Sequence, residues 1–290
     1  MSATPTRLPP PSPYGRTPLS RLPVELLYDI QLFALSEHFP FVCKYLHEVF
    51  KRSLPSFRAR YIVGRLDRAT TAGHERSALT AALLYPICTQ DVVEALFRLP
   101  EFLAYGNFNP EGDVPSTILL PAPDLPRRLF RDLKPRVRRG IPIPWSEEDK
   151  PLPFLQYLFD LCHSRRTIAG PPKCDANHSY ALTKAVVAGA VPLVKFLLVN
   201  GGNPAAKGAI AVMVAIQRKD LQMVRLLVEG DLGASGGAKR RRVPDRVVCT
   251  RPMLQRAAKV GAQDIVQYLL AKGVTPDMET LRVMHSSGYQ

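Results

Sequence analysis

The chain has 290 residues, 46% of them hydrophobic, enough for one extended domain or two small ones with a sizeable core. No run of about 18 uninterrupted apolar residues occurs, which speaks against a membrane-spanning helix. The net charge is +14 and unevenly placed: residues 1–120 carry 12 Lys+Arg against 11 Asp+Glu, residues 121–290 carry 27 against 14. A basic surplus of this kind attracts acidic partners, whether nucleic acid, an acidic protein or an import receptor. The five cysteines (Cys43, Cys88, Cys162, Cys174, Cys249) are odd in number and scattered, which suits a reducing compartment. The start of the chain lacks the apolar core of a secretory signal, so cytoplasm or nucleus is the expected location.

Residues 1–19 are rich in Pro, Ser and Thr and are expected to be disordered. Thr4-Pro5, Ser12-Pro13 and Thr17-Pro18 have the form of proline-directed phosphorylation sites, or else belong to a merely solvated tail. LSRLPVELLYDI follows, from Leu19 to Ile30: Ser20 can cap, Pro23 fits a first helical turn, and Leu22, Leu26, Leu27 and Ile30 make an apolar stripe. In FPFVCKYLHEVFKRSL, Phe41, Val42, Leu46, Val49 and Phe50 are expected to form a second helical face.

The L-P-x-E-L-L-x-x-I opening and the later V-C-K-x-L are similar to the F-box. The resemblance spans about 35 residues within the segment 20–66, and the stretch between Ile30 and Val42 is a few residues shorter than usual. It implies docking onto the linker subunit of a cullin–RING ubiquitin ligase through Leu22, Pro23, Leu26, Leu27, Ile30, Val42 and Cys43. In physical terms an amphipathic helix pair offers its apolar face to another protein's helices. Alternatively, the same face caps the start of a repeat array.

That array is expected over 78–290, with loop-rich insertions at about 106–123, 140–151 and 231–250. ALTAALLYPICTQDVVEALFRL, from Ala78 to Leu99, is a faint helix–turn–helix copy. PFLQYLFDLC, from Pro153 to Cys162, reads as a second helix whose first helix is sought in PDLPRRLFRDL, from Pro123 to Leu133. The basic stretch Arg127 to Arg139 reads as a solvated helix face without the interleaved aromatics of a single-strand binder. Trp145, the single tryptophan, lies in a Pro-rich loop and either packs that loop onto the array or anchors a partner.

Cys162, His163, Cys174 and His178 cluster in sequence, but adjacent Cys162 and His163 do not give the paired spacing of a zinc site. Cys43 and His47, four apart on a helix, read as packing positions. The glycines of VNGGNPAAKG lack the Gly-Lys-Ser/Thr ending of a phosphate loop. No nucleophile-elbow, metalloprotease or kinase signature occurs. The expectation is a protein that is not an enzyme and needs neither metal nor cofactor.

The strongest signal is a phrase of seventeen residues written three times without a gap. LTKAVVAGAVPLVKFLL (Leu182 to Leu198) recurs 30 positions later as VMVAIQRKDLQMVRLLV, and after another 42 as LQRAAKVGAQDIVQYLL (Leu254 to Leu270). Each copy opens with an apolar residue and an Ala three positions on, which puts both on one helix face. Gly189 and Gly261 break the helix, while Lys219 holds that place in the middle copy. A short apolar helix follows, interrupted at one place by Lys195, Arg225 or Gln267. Such pairs are too apolar to stand alone and bury their faces by stacking.

LTKAVVAGAVPLVKFLLVNGGNP and LQRAAKVGAQDIVQYLLAKGVTP resemble the ankyrin repeat: L-x-x-A-A, a Gly-containing turn, I/L-V-x-x-L-L, and a Gly-rich exit. A coincidental helical bundle is the competing reading. Two departures are visible: the T-P-L-H tetrapeptide is absent from all three copies, and the spacings differ from the family's roughly 33 residues. Irregular hairpin fingers are therefore expected, with DMETLRVM as a closing helix. The resemblance implies a mainly all-α helical solenoid, preceded by the small F-box-like segment, that holds a protein target on its concave side. Lys184, Asn203, Lys207 and Arg218 are the expected contact positions, and their charge favours an acidic target. Lys239, Arg240, Arg241 and Arg242 form a compact cationic tract suited to an import receptor; no DNA-reading motif is visible.

Overall fold

The computed structural model describes residues 19–70, 77–105, 122–138, 141–164, 170–229 and 246–286. By compactness the chain divides into two units: Met1–His74 with Asp91–Leu99, and Glu75–Gln90 with Pro100–Gln290.

In the first unit, a short 3-10 turn at Leu19–Arg21 leads into α1 (Val24–Ala34). Pro23 stands at its N-cap, where a missing N–H is least costly. α1 ends at Leu35, left-handed at φ 48°. A second 3-10 turn, Phe39–Phe41, precedes α2 (Lys44–Lys51), and α3 (Pro55–Thr70) completes the run. Leu27, Leu46 and Phe50 form the core, with Tyr28, Phe39 and Phe57 packed around them. α3 folds back on the end of α1, where the Arg65 guanidinium donates to the Leu35 carbonyl at 3.0 Å and the Tyr61 hydroxyl to that of Ser36 at 3.2 Å. Gly64 permits this approach, since a Cβ there would meet Leu35 Cδ2 at 2.9 Å. The second helical face is shorter than the sequence suggests: Phe41 and Val42 lie in the turn before α2 and point outward, because the helix begins only after Cys43. α5 (Gln90–Leu96), which follows α4 in sequence, falls almost wholly in this unit and buries Val92, Val93 and Leu96.

The second unit opens with α4 (Ala78–Leu83) and α6 (Pro100–Ala104). The first helix sought in 123–133 is not formed. Only one 3-10 turn, Arg127–Phe130, is made there, since residues preceding Pro126 and Pro135 are biased to extended backbone. Arg128 is not a solvated cation: its guanidinium donates to the carbonyl of Leu83, at the end of α4, and to that of Cys88 in the turn that follows. A small antiparallel ladder, β1 (Val137–Arg138) with β2 (Ile141–Pro142), then leads to α7 (Leu152–Ser164).

The three copies follow as helix pairs: α8 (Ala176–Ala188) and α9 (Val191–Val199), α10 (Ala206–Gln217) and α11 (Leu221–Glu229), α12 (Arg251–Val260) and α13 (Gln263–Ala271). α14 (Met278–Ser286) closes the row, packed on α12 as the tail pattern suggests. First helices lie side by side, α10 between α8 and α12, and second helices form the other row. Ala185, Ala215 and Ala257 are fully buried where first helices meet. Each buried Leu, Val or Ile of the second helices contributes about 1.5–3 kcal/mol of transfer free energy. Phe159 of α7 meets Phe196 of α9 edge-on at 5.3 Å, so α7 extends the second-helix row.

One turn closes every first helix. The N–H of residue 190, 220 or 262 reaches the carbonyl of Ala185, Ala215 or Ala257 at 3.0–3.2 Å, and the preceding N–H reaches the carbonyl of Val186, Ile216 or Ala258. This double bond pattern needs a left-handed residue, supplied by Gly189, Lys219 and Gly261 at φ 72°, 57° and 71°. The openings depart from regularity. Asn177, His178 and Ser179, and at the same register Lys207, Gly208 and Ala209, make a left-handed turn before the right-handed helix starts. The third copy starts instead from extended Thr250 with Pro252 in its first turn. Between the second and third copies, the Arg246 N–H donates to the Val228 carbonyl at 2.7 Å and its guanidinium to that of Leu198 at 3.0 Å.

Candidate functional site: a groove across the first helices

Residues i, i+3, i+4 and i+7 of a helix share a face. In each first helix the face carrying the fully buried Ala is spent on neighbouring helices, which leaves another for solvent. On α10 that open face carries Ile210, Met213, Val214 and Gln217. Together with Val187 of α8, Arg218, Arg256 of α12 and Pro135 they line a groove of about 440 Å³. Its walls are mostly aliphatic and two guanidinium groups stand on it.

The wall residue Pro135 is held by its neighbours. Arg136 stacks 3.8 Å from the centre of the Trp145 ring and pairs with Asp149 at 2.7 Å. The indole N–H donates to the Ala188 carbonyl at 3.1 Å, one of the acceptors at the end of α8. Trp145 thus packs its loop onto the array, the first of the two roles open to it in the sequence. The Asp149 carboxyl is held below the usual range by the Ser146 N–H, then by Arg136.

The expected contact residues divide. Lys184 shares the register of Val214 and Arg256 and lies 6.0 Å from the centre of the Tyr180 ring, which also has Arg127 5.3 Å away. Arg218 lines the groove, but its guanidinium donates to the Val187 carbonyl at 2.7 Å and so ties two copies together. Asn203 is exposed, yet its side-chain oxygen accepts the Ala205 N–H at 2.9 Å and shapes a turn. Lys207 is exposed at the left-handed opening of α10. Sequence reasoning passed over Ile210, Met213, Val214 and Arg256. The signal was there in the register of the copies, but attention to polar residues hid an apolar site.

In the first unit, Leu27 is fully buried, Leu22 and Ile30 are half-buried, and Pro23 and Cys43 are exposed. Leu26 keeps 48% of its surface in solvent, Phe41 72% and Val42 67%. These three are large apolar groups that the unit's own core does not use. The tract Lys239, Arg240, Arg241 and Arg242 lies outside the described residues, as does the N-terminal tail through residue 18.

Cys88 is pushed up to about 12 by burial, against a smaller opposing effect of Arg128; burial also raises Cys174 to about 12 and Cys162 to about 11. These thiols are protonated and poor nucleophiles. Among the described residues no group of three or more His, Cys, Asp or Glu is placed to hold a metal, and no helix there is long and apolar enough to cross a membrane.

A family model described as ankyrin repeats (3 copies) matches residues 182–280. No curated protein matches the chain, and no solved structure does. The mainly helical architecture, the stacked pairs and this match agree: residues 182–280 are ankyrin repeats within an all-α solenoid, a protein–protein interaction module of a kind that is generally non-catalytic.

Proposed function

We propose that the protein is an adaptor that brings a protein target to a cullin–RING ubiquitin ligase. The repeats hold the target, and α1 with α2 dock on the ligase linker subunit. Leu26, Phe41 and Val42 support this reading most directly, because two of them are positions that the F-box resemblance assigns to docking and all three stay in solvent. Exposed apolar groups on and beside short helices suit a helix-in-groove partner. In the first unit α1, α2 and α3 share one core, and between α1 and α2 the chain makes the 3-10 turn Phe39–Phe41. Joining two binding surfaces in one chain raises the effective concentration of target beside the ligase.

The test is binding of the purified chain to the purified linker subunit, wild type against Leu26→Asp with Val42→Asp. Both substitutions fall on exposed side chains, whereas Leu27 is in the core and its replacement would unfold the unit. A loss of at least about tenfold in affinity is expected, in line with the cost of removing central apolar anchors, with circular dichroism unchanged. Equal binding by both proteins, or none by the wild type, would leave α1 and α2 with a structural role only.

A further inference from the structure

The chemistry of the groove narrows what it can hold. Positions 180, 184 and 187 of α8 recur as 210, 214 and 217 of α10 and as 252, 256 and 259 of α12. In the middle copy that face is aliphatic, with Ile210, Met213 and Val214 at the centre of the groove. On the α8 side, Arg127 and Lys184 flank the Tyr180 ring. On the α12 side, exposed Arg256 lines the groove. None of these three cations has a carboxylate partner among the described residues, while Lys259 is neutralised by Glu279 at 3.1 Å. An aliphatic floor therefore lies between two sets of unpaired cations, with α10 between the helices that carry them.

Packed helices lie about 8–10 Å apart, so the two sets stand roughly 16–20 Å apart. Extended chain advances about 3.3 Å per residue, and about five or six residues cross that span. We infer that the groove takes an extended acidic segment of a partner protein. One aliphatic side chain sits on Ile210 and Met213, and Asp or Glu on either side reaches Arg256 in one direction and Arg127 with Lys184 in the other. Charge complementarity supports it, since residues 121–290 carry 27 Lys+Arg against 14 Asp+Glu. A nucleic acid would satisfy the cations but leave the aliphatic floor without a partner. The inference rests on the reading that the repeats hold a protein target.

The experiment pans a phage-displayed library of random dodecapeptides on the immobilised full chain, then measures the enriched peptides by fluorescence anisotropy. Enriched sequences are expected to carry an aliphatic residue with Asp or Glu on both sides, about five or six positions apart. Those peptides should bind Ile210→Asp and Arg256→Glu at least about tenfold more weakly than wild type, and binding should weaken as salt is raised. Both positions are exposed, and unchanged thermal transitions of the variants would show that the array is intact. Enrichment without the acidic pattern, or binding indifferent to both substitutions, overturns the inference and leaves the repeats a peptide binder. Absence of any enrichment overturns the inference and removes support from the target-holding reading as well. Displacement of the peptides by equimolar dT20 overturns it in favour of nucleic acid.

Discussion

Lys219 does the work of a glycine. In the turn after α10 it is left-handed at φ 57°, where the flanking copies have Gly189 and Gly261. An L side chain in that conformation costs roughly 1–2 kcal/mol, partly offset because glycine loses more entropy on folding. Lys219→Gly is therefore expected to stabilise the array by up to about 1 kcal/mol, and Gly261→Ala to destabilise it by a similar amount. Thermal unfolding checks both, with midpoint shifts of about 2–4 °C for a unit of this size. Gly261 is a clean site, since a Cβ there meets nothing within 4 Å, whereas one at Gly189 would press on the Arg218 guanidinium at 3.0 Å.

Short segments show where local pattern stops being informative. The helix pairs of the three copies were legible because apolar spacing and the position of Ala are local properties. The left-handed openings at 177–179 and 207–209 were not, since nothing in Asn-His-Ser or Lys-Gly-Ala announces such a turn. Missing T-P-L-H only signalled that something else stood there. The loss of a helix at 123–133 was readable in principle from its prolines, but the periodic Leu and Phe positions outweighed them. The attachment of the Trp145 loop depends on a contact 43 positions away along the chain, which spacing cannot reveal. Because Trp145 is the single tryptophan, fluorescence excited at the red edge, beyond tyrosine absorption, reports on this loop. Arg136→Ala removes both the stacking partner and the ion pair with Asp149. The emission maximum is expected to move to longer wavelength as the indole becomes wetter; an unmoved spectrum would show that the bond to Ala188 holds the ring without Arg136.

Acid should weaken the protein through identifiable carboxyls as well as through its rising positive charge. Asp277 is held below the usual range by the Thr280 side chain and backbone N–H, at the start of α14; Asp149 is held down by Ser146 and Arg136. A carboxyl whose folded pKa is depressed contributes stability above its unfolded value, and the contribution is lost as pH falls through the folded one. Asp277 is exposed and Asp149 half-buried; the effect is modest and falls below the ordinary carboxylate range. Unfolding midpoints followed from neutral pH into acid should decline less steeply in Asp277→Asn than in wild type. A nearest-neighbour array of this kind is stabilised interface by interface, which gives Arg246 a wider meaning. Its two bonds, to Val228 and Leu198, fasten the chain where the third copy begins, whatever precedes it. Closing a longer loop costs only about 0.6 kcal/mol per doubling of length. Foreign sequence inserted between Glu229 and Arg246 is thus expected to leave the helices on either side where they are.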